Sequence, residues 1–426
     1  MTLSKETRDD LQSLITRFSE VGKLPQGGVT RLAYTPLEDE MHRIFREEGK
    51  AHGFNVWEDS IGNSFVGNIS DEKEPHTLLG SHLDSVIEGG PYDGVVGVAG
   101  GFAAMLELKR QGKKIPLVVA AFRCEESSNF QHCTVGSGLM THALDLQGLQ
   151  NVVSLEGEKL SDCLARHGYR GEVPVPEGIT RYIELHIEQG RVLQENDTQI
   201  GIVTAIAAPH RYRLRLQGFS EHSGATPMNL RLDALCAASE VILAVEQIGR
   251  EESVNASVAT VGCIDNHPNI INSVPGMTDL RIDMRGIHTG SLLSMDKALK
   301  ERVDEICRRR GISYQLDCID TMEPCHMDGT LVEQLCRAAH AEELSFRKMP
   351  SGAGHDALSF AHLYPTAMVF IPCKDGISHN IAEYTSPEQI EAGVRVLVRF
   401  LLQGEGGDKQ ALDPVSYTHL TLPTTL

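Results

Sequence analysis

The sequence predicts an α/β protein, a mixed sheet flanked by helices, interrupted by a smaller α+β domain of ferredoxin-like order. Residues 115–122 (IPLVVAAF) form an unbroken apolar run of strand length after Gly112 and before Arg123, the pattern of a strand covered on both faces. Helices and strands alternate around it. Between His210 and about Glu323 the texture changes to strands with strict polar/apolar alternation, YRLRL at 212–216 and TDLRIDMR at 278–285, which need only one covered face.

The elements follow in order. An amphipathic helix over residues 1–20 gathers Leu11, Leu14, Ile15 and Phe18 on one face. Pro36, after Thr35, suits the first turn of a second helix that runs to about His52. Short strands over 55–58 and 63–69 precede the buried strand Thr77-Leu78-Leu79, which ends at His82 and enters the loop GSHLDSVIEGGPYDGVVGVAGG over 80–101. A small-residue helix over 94–111 and the apolar strand at 115–122 come next. A looser stretch, 149–179, leads to the strand YIELHIEQG at 182–190. The insertion reads strand 212–216, helix 231–248, strands 256–264 and 278–285, helix 291–310 and strand 313–319, a split βαβ order. The first texture then returns with a helix over 328–343, the loop SGAGHDA at 351–357, strand 366–371, a loop carrying His379 and a closing helix over 387–402. The expected division is therefore 1–208 with 325–404 as one discontinuous domain, 209–324 as the insertion, and 405–426 as a disordered or non-native tail, its end PVSYTHLTLPTTL fitting neither domain.

Composition narrows the function. Of 426 residues, 41% are hydrophobic and 23% charged, as in ordinary globular proteins, and the net charge of −19 argues against nucleic acid or an anionic membrane as partner. No apolar run approaches the ~20 residues that span a bilayer. The first residues do not resemble a signal peptide, and ten cysteines are scattered without a Cys-x-x-Cys pair, so reduced thiols in the cytoplasm are expected.

The strand ends carry the chemistry. His82, Asp93, Glu125, Glu126, His186 and His379 all fall at loop ends of the first domain, where open α/β sheets place ligands. Histidine and carboxylate donors without thiolate suit a catalytic zinc site, and equally manganese, cobalt or nickel. Two ions need one bridging carboxylate and about two terminal ligands each. Asp93 as bridge, with His82 and His186 on one ion and Glu126 and His379 on the other, satisfies that count. Asp84, two residues from His82, would support its ring from behind. Glu125 is left over as a general base. In the insertion, His222, Asn272 and Arg285 could grip an anionic substrate and a developing oxyanion.

The runs GSHLDSV, YDGVVGV, FRCEES, ELHIEQG, HSGATPM, NSVPG, SGAGHDA and DGISHNIAE, in order over nearly all of residues 1–403, resemble the hydantoinase/carbamoylase branch of the zinc aminoacylase and carboxypeptidase superfamily. The resemblance implies a zinc-peptidase-like catalytic domain and an inserted dimerisation, or lid, domain. It implies that two divalent ions sit on the five ligands above, with zinc first in line, that Glu125 is the base, and that His222 reaches into the active site of a homodimer partner. It carries substrate contacts to Gln189, Arg211, Asn272 and Arg285, with Gly352, Ala353 and His355 lining the same pocket. The implied activity is hydrolysis of the carbamoyl or ureido C–N bond of a small anionic substrate, an N-carbamoyl-L-amino acid or allantoate. An aminoacylase or dipeptidase on the same site is the nearest rival, and a catalytically dead metal-binding scaffold another. Relatives often carry Arg at the position of Asn129, Asn or Ser at Glu221, and Gln at His210, which bears on the substrate rather than on the metal chemistry.

Overall fold

In the computed structural model, which describes residues 2–403, the apolar run forms a strand buried along its whole length. The expected tail lies outside the described residues. In chain order the strands are β1 Asn55–Glu58, β2 Ser64–Gly67, β3 His76–His82, β4 Leu117–Phe122, β5 Ile179–Ile187, β6 Ile200–Ile206, β7 Ala208–Gln217, β8 Glu221–His222, β9 Val258–His267, β10 Ser273–Val274, β11 Met277–Gly286, β12 Ser313–Thr321, β13 Cys325–His326, β14 Phe346–Ser351 and β15 Thr366–Ile371.

The larger sheet is mixed and nine-stranded, in the order β1-β2-β4-β3-β5-β15-β6-β13, with β14 also paired to β6. Its centre is parallel: β4 with β3, β3 with β5 and β5 with β15. Four neighbouring strands therefore end on the same edge. Antiparallel β2 and β6 flank them. The helix Val95–Arg110 is buried from Val95 to Leu108, which explains why it reads as small and apolar rather than amphipathic. At Gly97 a Cβ would stand 2.4 Å from the Leu185 carbonyl oxygen, so glycine is what lets this helix lie on the sheet.

β7, β9, β11 and β12 form a second, wholly antiparallel sheet in the order β12-β7-β11-β9. Tyr212, Leu214 and Leu216 of β7 and Leu280, Ile282 and Met284 of β11 point to one side, where helices Ala234–Glu252 and Thr289–Arg310 close a core separate from that of the larger sheet. The opposite face carries Arg211, Arg213 and Arg215, ion-paired with acids of β11 and β12.

The sequence pattern passes over two longer strands, β6 and β14, as well as the two-residue β8, β10 and β13. β6 is followed by β7 after Ala207 alone, so no turn signal separates them, and β14 (FRKMPS) is half polar and contains Pro350. The looser stretch contains a short helix, Leu160–Arg166. Among the described residues, no helix is long and apolar enough to cross a membrane.

Candidate active site

The ends of the four parallel strands bring the predicted ligands together. His82 closes β3, His186 is the penultimate residue of β5, Glu125 and Glu126 follow β4, and His379 follows β15. Asp93 precedes Gly94, which caps the helix Val95–Arg110 with φ 67°. A Cβ at Gly94 would lie 2.5 Å from the His82 ring, so both the turn and the close approach require glycine.

These side chains form two groups of three that share Asp93: His82, Asp93 and His186, and Asp93, Glu126 and His379, each with its ligand atoms within 4.8 Å of one another. His186 Nε2 stands 3.0 Å and His82 Nε2 3.9 Å from Asp93 Oδ1, and His379 Nε2 lies 3.2 Å from Asp93 Oδ2 and 3.1 Å from Glu126 Oε1. Asp93 Oδ1 is buried and makes no hydrogen bond although two ring nitrogens face it. A carboxylate oxygen so placed, facing ring nitrogens without a well-aligned hydrogen bond, is a setting in which a cation between it and the rings would supply the missing partner. The donor set and this oxygen thus fit divalent metal ions at the two groups that share Asp93.

Asp84 is fully buried. Its Oδ1 accepts from the Glu125 amide at 3.1 Å and its Oδ2 from the Glu126 amide at 3.0 Å, while His82 Nδ1 lies 3.2 Å from the Asp84 carbonyl and 3.4 Å from Oδ1. Arg123 holds the same turn from the other side, donating to Glu38 Oε2 at 2.7 Å and Asp39 Oδ1 at 2.8 Å, and the Cys124 amide donates to Glu38 Oε1. Cys124, Gln189 and His379 all have φ between 54° and 58°, costly for non-glycine residues and maintained by these surroundings.

Glu125 is 8% exposed and lies 3.7 Å from His82 Nε2. Burial, with the charges of Glu126 and Asp356, pushes its carboxyl well above the usual range against the pull of His82. His379 is raised to about 10 by its bonds to Asp93 and Glu126. His82 is also raised, because Glu125, Asp84 and Asp93 outweigh its burial.

Other predicted residues are placed differently. Gln189 Nε2 donates to Asp93 Oδ2 at 2.8 Å and so touches the carboxylate that the two groups share. His355 is buried behind His186, ring centroids 4.5 Å apart, with Nε2 2.8 Å from Ser351 Oγ. Glu184, His186 and His355 also lie within ligand reach of one another, but Glu184 already accepts from Ser81, Tyr182 and Ala357. Arg285 pairs with Asp283 at 3.0 Å and donates to the Gly352 carbonyl at 2.7 Å, joining the second sheet to the SGAGHDA loop. Ala353 bonds back to Ser351, and Arg211 faces Asp283 and Asp320.

His222 and Asn272 share an exposed ladder, where β8 pairs with β10 and the Ser223 amide donates to the Asn272 carbonyl. Among the described residues neither bonds to the cluster. His210 turns into the core of the second sheet and meets Asp296 at 2.8 Å, and Asn129 Nδ2 holds the Ala33 carbonyl. Two of the three departures from the relatives' pattern, His210 and Asn129, are thus tied up by polar contacts within the chain. Sequence reasoning missed Glu38, Ser378 and Glu383. Only Glu383 and Ser378 left a trace, inside the run DGISHNIAE.

Comparison with known proteins finds relatives along nearly the whole chain. The chain is 34% identical to allantoate amidohydrolase of Escherichia coli, over 93% of this chain and 98% of that one. It is 33% identical to N-carbamoyl-L-amino acid amidohydrolase of Geobacillus stearothermophilus, over 92% and 98%. The crystal structure of an amidase of the hydantoinase/carbamoylase family from Burkholderia multivorans superposes with a TM-score of 0.88 at 34% identity, covering 94% of this chain and 98% of that one. The profile of Peptidase family M20/M25/M40 matches residues 78–403, and the chain belongs to that family, in its hydantoinase/carbamoylase branch.

Proposed function

We propose that the chain is a two-metal amidohydrolase that cleaves the carbamoyl or ureido C–N bond of a small carboxylate substrate, an N-carbamoyl-L-amino acid or allantoate. The observation that carries this is the pair of ligand groups sharing Asp93, with Glu125 beside them and outside both. A purely structural metal site has no use for such a base.

His82 and His186 together with Asp93 would hold one ion, and Glu126 and His379 with the same Asp93 the other. Zinc suits these donors best, with manganese, cobalt and nickel also accepted. Such ions polarise a scissile carbonyl and make water acidic enough to react at neutral pH. Glu125 takes the proton from the attacking water as its oxygen adds to the ureido carbon, and returns it to the leaving nitrogen as the C–N bond breaks. From a carbamoyl amino acid the products are the amino acid and carbamate, which decomposes to ammonia and carbon dioxide. Asp84 and Arg123 keep Glu125 in place. Arg285, released from the Gly352 carbonyl, clamps the substrate carboxylate as a bidentate partner, with Arg211, Asn272 and Gln189 around it.

The functional division is 1–208 with 325–404 as the catalytic domain and 209–324 as a dimerisation domain. A homodimer would bring His222 of one subunit to the other's oxyanion. Ten free cysteines suit a reducing compartment such as the cytoplasm.

The test is a substrate panel on metal-reconstituted protein: ammonia release from N-carbamoyl-L-amino acids, allantoate and ureidopropionate, and acyl release from N-acetyl amino acids. Turnover of carbamoyl or ureido compounds supports the proposal. Turnover of N-acetyl compounds alone makes the chain an aminoacylase, and none at all with both ions bound makes it a scaffold.

A further inference from the structure

Asp93 and His379 belong to the same group of three but reach it on separate loops, one between β3 and the helix Val95–Arg110, the other between β15 and the last helix. What joins these loops is Glu383. It is 4% exposed, its Oε1 accepts from the amides of Tyr92 at 2.9 Å and Asp93 at 3.0 Å, and its Oε2 accepts from Ser378 Oγ at 2.8 Å. Ser378, the neighbour of His379, also stands 2.8 Å from Asp93 Oδ2, so its one hydroxyl proton lies between the two carboxylates and serves either of them. The loop wraps the carboxylate closely enough that a Cβ at Gly90 would fall 2.2 Å from Glu383 atoms, so the side chain has one place to be.

We propose that Glu383, acting through Ser378, is the positioning residue that sets Asp93 against His379 and Glu126, and so governs occupancy of that half of the metal site more than of the His82–His186 half, which shares Asp93 but has its other two ligands on the sheet. The proposal rests on the two-ion reading above. His82 and His186 stand on β3 and β5, whose parallel pairing fixes them without help from the loops. Asp93 and His379 have no shared sheet backbone, and the Glu383–Ser378 chain takes its place. Outer partners of this kind are worth about 10–100-fold in metal affinity.

Hydrogen-bond counting distinguishes a positioning role from a merely structural one. A glutamine can keep the chain whole: its carbonyl oxygen accepts both loop amides, its NH2 donates to Ser378 Oγ, and the Ser378 hydroxyl donates to Asp93 Oδ2. An alanine leaves two amides and the hydroxyl unanchored.

The experiment is calorimetric titration of zinc or manganese into the metal-stripped full chain, with thermal melts of each stripped variant. The wild type should take up two ions. Glu383→Ala should bind one ion only slightly more weakly and the other about 10–100-fold more weakly, Ser378→Ala should shift the same ion less, and Glu383→Gln should stay close to wild type. Unchanged binding of both ions by Glu383→Ala overturns the proposal, as does equal weakening of both with a lowered melting temperature. Wild type that takes up a single ion removes the two-ion reading and this role with it, whereas two ions with no ureido turnover leaves this role standing and removes only the substrate assignment.

Discussion

The carboxylate of Asp84 lies under the turn that carries the two glutamates, one oxygen on the Glu125 amide at 3.1 Å and the other on the Glu126 amide at 3.0 Å. The residue that backs His82 thus also aims the base and a ligand of the opposite group. Base and metal site cannot be displaced independently of each other.

Asp84→Ala should therefore damage both at once, leaving two buried amides unpaired and a loop that no longer presents Glu125. A fall of about 10–100-fold in metal affinity or in kcat/KM is expected. Asp84→Asn can accept from only one of the two amides, and its NH2 opposes the other, so it should fall between alanine and wild type. Steady-state kinetics alongside metal content checks this, and an asparagine variant with full activity refutes the coupling.

Glu125→Gln removes the proton acceptor and keeps the shape. Because Glu125 stands outside both ligand groups, the variant should bind both ions normally and lose turnover by about 10² or more, the scale of a general base. Elemental metal content measured with kcat separates this from a metal-binding defect. Retained turnover with normal metal content would mean that another group carries the proton.

The cluster of candidate ligands was legible in the sequence because its residues lie at strand ends, and strand ends are marked by apolar runs and by glycines that geometry demands. Gly94 shows why: no other residue admits both the turn and the His82 ring. The alternation of β7 and β11 likewise betrayed the one-sided second sheet. What stayed hidden acts across the chain. Glu38 meets Arg123 across 85 residues and Glu383 meets Asp93 across 290, and no periodicity records such pairs. Gln189 was read as a substrate contact and His355 as pocket lining from their motifs; that His355 packs behind His186 and Gln189 bonds the carboxylate shared by the two groups was not legible, because a motif states neighbours in sequence and not the direction of a side chain.

Metal uptake should release protons. Without ions, the bonds of His379 to Asp93 and Glu126 hold its pKa at about 10, and the carboxylates around His82 outweigh burial to raise it too, so both rings are charged at neutral pH. Ligation requires them neutral. Apparent affinity should therefore rise with pH, and the heat of binding should vary with the ionisation enthalpy of the buffer. The sign for stability follows from the same shift. A histidine whose folded pKa is raised contributes stability that is complete below its unfolded value of about 6.5 and lost as pH climbs through about 10. The stripped protein should melt at progressively lower temperature across that window, and the loaded protein should not, since its histidines have already given up their protons. A pH-independent affinity would contradict the charged rings.

His222 is exposed, its Nδ1 bonded to the amides of Gly224 and Ala225, and it makes no bond to the cluster of its own chain, whereas Arg285 already touches the SGAGHDA loop. In a two-fold dimer each active site would combine its own Arg285 with the partner's histidine. His222→Ala and Arg285→Ala should each be nearly inactive alone. When the two are refolded together, half the dimers are mixed, and each mixed dimer contains one site with both residues intact, so about a quarter of wild-type activity should return by two-fold symmetry. Were both residues drawn from one chain, every site in the mixture would lack one of them and nothing would return. Size-exclusion chromatography of the mixture shows whether dimers persist, so an absence of recovery with dimers intact would place His222 outside the partner's active site.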